Sequence, residues 1–411
     1  MNFSVKKAGI RIYHFLAGAI VKRIPYPEQE IISSDGSLMA SGGLLETAGV
    51  RSVLVCCSRS VHRNGLLNDM LADLEKRGIS YQLFEDINPN PTVGNIDTGL
   101  SVYLENKCEG IIAVGGGSPM DCAKIIALRV SNPTLSYKDM RNMLKIRHRI
   151  PYMIAVPTTA GTGSESTVAA VISDPEHHDK YVVLSPLLMP HAVLLDEGLT
   201  RGLSPAFTAY TGMDALTHAI EAYIGVMDEK NANAEALEAC RLIFENLQTA
   251  YHEPENAEAR RNMLIASNKA GIAFGRIYIG NIHAISHALS ALYNVGHGKT
   301  NAILLPKMLS FYGPCIYKKM GDIARYCGLC DSSADSEKNN EELTRLLIER
   351  IKNLNGEFDI PEYVEELCEE DIPLIVGKAL HEANPAYPVP KILNHRECTE
   401  FVKCVSRGDS I

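Results

Sequence analysis

Along the first half of the chain, short unbroken apolar runs alternate with stretches in which apolar residues recur every three or four positions. Val53–Cys57, Gly110–Val114 and Tyr152–Val156 are such runs, the pattern of strands covered on both faces. Between the first two, Leu66, Leu67, Met70, Leu71 and Leu74 fall on one helical stripe. Tyr81–Phe84 predicts another strand, and Asn88–Thr92, with two prolines, a turn. This β–α–β–α order predicts a doubly wound parallel sheet, which binds ligands beyond the carboxyl ends of its strands. From about Thr208 the strand pattern stops, and helices broken by short Gly/Pro loops fill the rest. We therefore expect an α/β domain over residues 1–200 and an all-α domain over 201–411, the break falling near Leu199–Ser204. At the start of the chain, the apolar run Ile12–Val21 has Lys6, Lys7 and Arg11 before it and Lys22 and Arg23 after it. It is too short to span a bilayer and predicts an amphipathic helix packed on the body or on another subunit.

Composition narrows the function classes. A chain of 411 residues with 46% hydrophobic and 22% charged residues has the profile of a soluble globular protein. Its net charge of −9 argues against nucleic acid or a membrane as the main partner, both of which favour basic surfaces. Eleven scattered cysteines do not form a secreted disulfide framework, so a cytoplasmic location is expected. Cys327 and Cys330 form a lone C-x-x-C, for which reduced thiols at a helix end are the simpler reading.

Two glycine-rich segments follow apolar strands directly. Gly115-Gly-Gly-Ser-Pro-Met-Asp121 leads into a helix, where amides at the helix start suit a diphosphate. Pro157-Thr-Thr-Ala-Gly-Thr-Gly-Ser-Glu165 surrounds two glycines with hydroxyls, a poor core but a good lining for a polar cofactor. In the second half, Asp214 and His218 lie four apart on a helix, with Glu221 continuing the stripe, and His283 and His287 repeat the spacing. His297 follows between glycines. Imidazole and carboxylate together suit Fe, Zn or Mn. The spacing alone is weak, since about one or two carboxylate-x-x-x-His pairs are expected by chance in this composition. Asp174–His178 is such a pair, in a turn. The apolar helical setting of the others is what raises them, because unpaired polar groups there are costly.

The segments GGGSPMD, PTTAGTGSE, GMDALTHAIEAY and NIHAISHALSALYNVGHG, in that order, resemble the iron-containing (group III) alcohol dehydrogenases from about Glu30 onward. The resemblance implies a dehydroquinate synthase-like architecture and a nicotinamide cofactor in the cleft between the two domains. It also implies Fe(II), or Zn, held by Asp214, His218, His283 and His297, with His287 as the catalytic residue rather than a ligand. Gly116, Gly117, Ser118 and Asp121 belong to the implied diphosphate loop, Thr158, Thr159 and Lys180 match other cofactor contacts, and Phe274 matches the aromatic residue beside the nicotinamide. Ala288, Ser290 and Gly296 depart from the family's usual Pro, Gly and Pro, which touches the backbone near the metal.

A further departure concerns the cofactor. The family often carries Asp at the end of the first strand, where it binds the ribose and repels a 2′-phosphate. Ser58 stands there, followed by Arg59, so use of NADP(H), alone or with NAD(H), is expected over NAD(H) alone. The implied function is hydride transfer between a primary alcohol or its aldehyde and NAD(P), in a homodimer or higher homo-oligomer. A glycerol- or propanediol-type polyol dehydrogenase is the alternative on the same fold. The rival of another class is a non-catalytic metal-binding or filament-forming protein, which would need neither phosphate loops nor ligands.

Overall fold

The computed structural model describes residues 3–176, 179–329 and 339–407, with the side chains of Asp179 and Lys180 outside that description. Cys330 and His178 lie outside the described residues. The chain folds into two compact units that are not continuous in sequence. An α/β unit comprises Pro25–Leu203 and Glu255–Gly271. A helical unit comprises the residues up to Ile24, Ser204–Pro254 and those from Ile272 on.

This division differs from a single cut near residue 200, for reasons of packing. The first helix, α1 (Phe3–Val21), buries Ile10 against Val389 and Ile392 and packs Ala17 against Ala222 and Met227, all in the helical unit. In the other direction, Leu264 and Ile265 pack with Val193 and Leu195 of the α/β unit.

In the α/β unit the strands are β1 (Glu30–Ser33), β2 (Ser52–Cys57), β3 (Ser80–Phe84), β4 (Gly110–Gly115), β5 (Tyr152–Pro157), β6 (Ala169–Asp174), β7 (Asp179–Leu184) and β8 (Ala192–Leu195). Six of them form a parallel sheet in the order β1-β8-β5-β4-β2-β3, as the alternating pattern predicts. β6 and β7 form a separate antiparallel pair that the apolar pattern does not announce. Helices α2 (Ser41–Thr47), α3 (Arg59–Arg63), α4 (Asn68–Lys76), α5 (Val93–Glu105), α6 (Gly117–Ser131) and α7 (Tyr137–Met140) connect the strands. The pleat divides the sheet's side chains between two cores. Leu54, Cys56, Ile111, Ala113, Met153 and Ala155 face the core shared with α6. Val53, Val55, Ile112, Val114, Ile154 and Val156 face the core shared with α4.

The chain crosses from one side of the sheet to the other between β2 and β4, the kind of switch point at which such sheets hold ligands. Register sets the ends of three neighbouring strands side by side, with Cys57 opposite Val114 and Gly115 opposite Pro157. The helical unit is built from α8 (Pro205–Ile224), α9 (Lys230–His252), the end of α10 (Ala257–Ile277), α11 (Asn281–Tyr293), α12 (His297–Tyr312), α13 (Tyr317–Tyr326), α14 (Asn340–Glu357), α15 (Ile372–Ala383) and α16 (His395–Arg407). Among the described residues, no helix is long and apolar enough to cross a membrane.

Candidate active site

Residues of the helical unit gather around one point. α8 starts on Ser204, whose side chain caps Phe207 N, with Pro205 in the first turn, and nearly every residue from Thr208 on is buried. A helix buried all round can hold polar side chains only if they have partners. Those partners come from the starts of α11 and α12. Ligand-type atoms of Asp214, His283 and His297 all lie within 4.8 Å of one another. Asp214 Oδ1 is 3.8 Å from His283 Nε2 and 3.5 Å from His297 Nε2. Burial pulls the pKa of His283 well down and that of His297 to about 4, Asp214 opposing the shift at His297. Both imidazoles are therefore neutral near pH 7, the form that ligates a metal.

Asn301, one turn after His297 on α12, points its amide nitrogen into this cluster. It lies 2.7 Å from Asp214 Oδ1 and 3.1 Å from both His283 Nε2 and His297 Nε2, while its own Oδ1 is buried without a hydrogen bond. Three ligand atoms converging on one small polar position fit a divalent ion with mixed N and O ligands. His218, predicted as the fourth ligand, is buried beside the cluster, its ring stacked on His283 at 4.4 Å and on Phe274 at 4.3 Å. It is not among the atoms that converge within 4.8 Å.

Glu221 organises the start of α11. Its carboxylate accepts from the backbone N–H of Gly280 at 2.8 Å, Ile282 at 2.8 Å and His283 at 3.4 Å, and pairs with His283 Nδ1 at 2.7 Å. Burial pushes this carboxyl up to about 7, against the pull of those amides. A side chain at position 280 would meet the Glu221 carboxylate at 2.5 Å, so Gly280 permits the close approach. His287 stacks on His297 at 5.0 Å, and its Nδ1 lies 2.5 Å from Glu382, which also accepts from Tyr387 Oη at 2.7 Å. Phe274 packs with Ala222, Tyr223 and Tyr278 as well as on His218. Tyr293 donates to Asp371, a contact away from these histidines.

In the α/β unit the predicted cofactor residues, Lys180 on β7 excepted, follow the ends of β2, β4 and β5, which lie side by side. A side chain at Gly115 would strike Pro119 at 2.6 Å, so the tight turn into α6 needs glycine there. Gly116 is the N-cap of α6 and supplies no side-chain cap, leaving the amides at this helix start for a ligand. Thr159 Oγ1 is buried without a hydrogen bond, and a Cβ on Gly116 would come within 3.3 Å of it. An orphaned hydroxyl beside an uncapped helix start fits a phosphate. Thr158 N donates to Gly115 O, and Ser118 Oγ accepts from Asn90 N.

Asp121 engages both oxygens within the protein, accepting from Ser164 Oγ at 2.7 Å and from Val171 N at 2.9 Å. It thus braces one glycine loop against the other. Lys124, fully buried, donates to the carbonyls of Ser164, Thr167 and Ala169, and burial lowers its pKa to about 8. Ser58 caps α3 by accepting from Val61 N, and Arg59 pairs with Asp86 at 3.0 Å on an exposed surface. Lys180 is paired with Ser173 across β6 and β7, its side chain lying outside the described residues.

Sequence reasoning missed Asn301, Glu382 and Tyr387. The spacing from His297 to Asn301 is the same one-turn signal that marks Asp214 and His218, and could have found Asn301. Nothing local marks Glu382, which lies 95 residues from its partner His287.

Residues 27–197 match the family model for iron-containing alcohol dehydrogenase, and residues 208–404 the C-terminal model of the same family. The 1,3-propanediol dehydrogenase of Citrobacter freundii is 34% identical over 343 residues, 83% of this chain and 87% of that one. A crystal structure of 1,3-propanediol oxidoreductase superposes with a TM-score of 0.86 at 30% identity, covering 93% of this chain and all of the other. The sulfoacetaldehyde reductase of Bifidobacterium kashiwanohense, solved in complex with NAD+, gives 0.84 at 26% identity over 94% of this chain and 99% of that one. With both of its halves matched in this way, the chain belongs to the iron-containing alcohol dehydrogenase family of enzymes.

Proposed function

We propose that this enzyme interconverts a primary alcohol and its aldehyde with NAD(P), at a divalent ion held by Asp214, His218, His283 and His297. The observation that carries the reading is the convergence of Asp214, His283 and His297 within 4.8 Å. Fe(II) is the ion we favour, and Zn(II) suits the same donors. When bound, the ion supplies Lewis acidity toward the alcohol or aldehyde oxygen, and the nicotinamide supplies the hydride acceptor or donor.

The chain's own residues do the rest. Burial around Asp214 and His283 keeps water from the reacting oxygen. His287, whose side chain is 40% exposed, passes the hydroxyl proton between substrate and solvent, oriented through Nδ1 by Glu382. Oxidation then gives up a hydride to NAD(P)+ and one proton to water. Phe274 orients the nicotinamide side of the pocket. In the α/β unit, the amides of Gly116, Gly117 and Ser118, the hydroxyls of Thr158 and Thr159, and Lys180 hold the cofactor, while Asp121 shapes the loops from behind.

The cofactor reading leans to NADP(H). It is supported by the absence of a carboxylate at Ser58 and by Arg59, whose guanidinium pairs with an Asp86 as exposed as itself, a pair weak enough to exchange for a 2′-phosphate. A diol such as 1,3-propanediol is the second substrate reading, favoured by the 34% identity to a propanediol dehydrogenase. The family resemblance supports a homodimer or larger homo-oligomer, with sedimentation as the check. The ten cysteines of the described residues are free thiols, which supports a cytoplasmic setting.

Turnover with butanol, 1,3-propanediol and both nicotinamides, measured beside metal content, tests the reading. His283→Ala should abolish turnover and weaken metal retention while the protein stays folded by circular dichroism. His287→Ala should slow turnover and keep the metal. Normal turnover by a metal-free His283→Ala preparation rejects the assignment.

A further inference from the structure

We propose that α1 docks this enzyme on an anionic lipid surface, lying in the plane of the headgroups. The helix is fixed on the helical unit by one side only. Ile10 and His14 are buried, Arg11 donates to the carbonyls of Val389 and Pro390 at 2.7 Å each, and His14 Nε2 lies 2.9 Å from Pro385 O. The other side is bare. Six of the twenty exposed large apolar side chains among the described residues fall on this one helix: Val5, Ile12, Tyr13, Phe15, Leu16 and Ile20. Phe15 is 77% exposed and Ile12 61%. At 100° per residue they fill a continuous arc of about 160° from Phe15 to Tyr13. Single exposed apolar residues need no explanation, but a rigid, contiguous stripe does.

Charge says what covers it. The first 27 residues contain five basic and no acidic side chains, in a chain whose net charge is −9. Lys6, exposed, borders the Tyr13 edge of the apolar arc, and Lys22 and Arg23, both exposed, follow the end of the helix directly. Long cationic side chains beside an exposed apolar stripe are the composition of an interfacial helix, whose stems cover apolar surface while the charges reach phosphate. A second copy of the chain is disfavoured as the occupant. A twofold contact is self-complementary and would bring two all-basic segments together. The whole-chain charge argues against a membrane only as an average, and α1 is the place where the average fails. The matched family begins at residue 27, after this helix, so the inference stands apart from the catalytic reading.

The test is cosedimentation of the full-length, metal-loaded protein with phosphatidylcholine vesicles, with and without phosphatidylglycerol. Binding should require phosphatidylglycerol and weaken as salt is added. Phe15→Ser with Leu16→Ser should lower the partition coefficient at least about tenfold. Lys6→Gln and Lys22→Gln should each lower it about fivefold. Turnover without lipid should be unchanged in all these variants, showing that they fold. The proposal is overturned if phosphatidylglycerol vesicles do not bind the protein, or if the Phe15/Leu16 variant binds as the parent does. It is equally overturned if sedimentation shows the parent alone to self-associate and that variant not to, since a second copy then covers the face.

Discussion

Glu221 decides which nitrogen of His283 is available to a metal. With its carboxylate already accepting from three backbone N–H groups, it favours the tautomer in which His283 Nδ1–H donates to it as well, which leaves the Nε2 lone pair turned toward Asp214 and His297. Glu221→Gln keeps the shape but puts an amide donor among donors. We expect metal binding to weaken about 10- to 100-fold, measured by competition with a chelator, while the helical content is kept. An unchanged metal affinity would show that Glu221 merely caps α11. The pairs Asp214–His218 and His283–His287 were legible in the sequence because helical spacing places residues four apart on one face, with Glu221 continuing the first stripe. What spacing could not show was that His218 stacks between Phe274 and His283 while Asn301 reaches the centre. Those are contacts between helices, set by how side chains fill a common space.

At the level of elements, the proposed cofactor choice rests on the turn from β2 into α3. Ser58 ends the strand as an N-cap and Arg59 opens the helix, so a ligand at this strand end meets a hydroxyl and a guanidinium. Ser58→Asp can still cap α3, since Asp is as good an N-cap as Ser, and it would set a carboxylate where a 2′-phosphate should lie. We expect it to depress kcat/KM for NADP(H) at least about tenfold, the low end for a charge-assisted contact turned repulsive, and to leave NAD(H) use within a factor of a few. Asp86→Asn, which releases Arg59, should move NADP(H) the other way. A parent enzyme with a strong NAD(H) preference would refute the reading. β2, β4 and β5 were read within a residue because unbroken apolar runs have few other homes. β1 and β8, only four residues each, and the β6–β7 hairpin were not. β1 lies at the sheet edge with half its residues exposed, and the hairpin alternates its burial, so neither forms a long apolar run.

Over the whole molecule, order along the chain and order in space part company. The alternation of elements gave the two architectures, but nothing in it tells α1 to join the helical unit or Glu255–Gly271 to join the sheet. Those memberships rest on contacts across more than 50 residues, which local patterns do not encode. A contact of shorter span, inside the α/β unit, has a consequence for acid stability. His191 extends the β5–β8 pairing, donating from its N–H to Met153 O at 2.8 Å and accepting on Nδ1 from Met153 N at 3.2 Å. The acceptor role requires a neutral ring. Burial lowers its pKa from 6.5 to about 4, with Arg149 adding to the shift. Between those two values the unfolded chain binds the proton and the fold does not, so this contribution is complete above pH 6.5 and is lost as pH falls toward 4. Glu165 and Glu221, both raised by burial to about 7, work in the opposite sense over an overlapping range, since burial makes each hold its proton to a higher pH in the fold than in the unfolded chain. The raw melting temperature is therefore a sum of contrary effects, and the informative quantity is a difference. His191→Gln preserves an acceptor for Met153 N without a titrating group. The parent should exceed this variant in melting temperature most at pH 7, and the gap should close steadily down to pH 4. A gap that stays constant across that range would mean that His191 is protonated at its ordinary pKa in the fold.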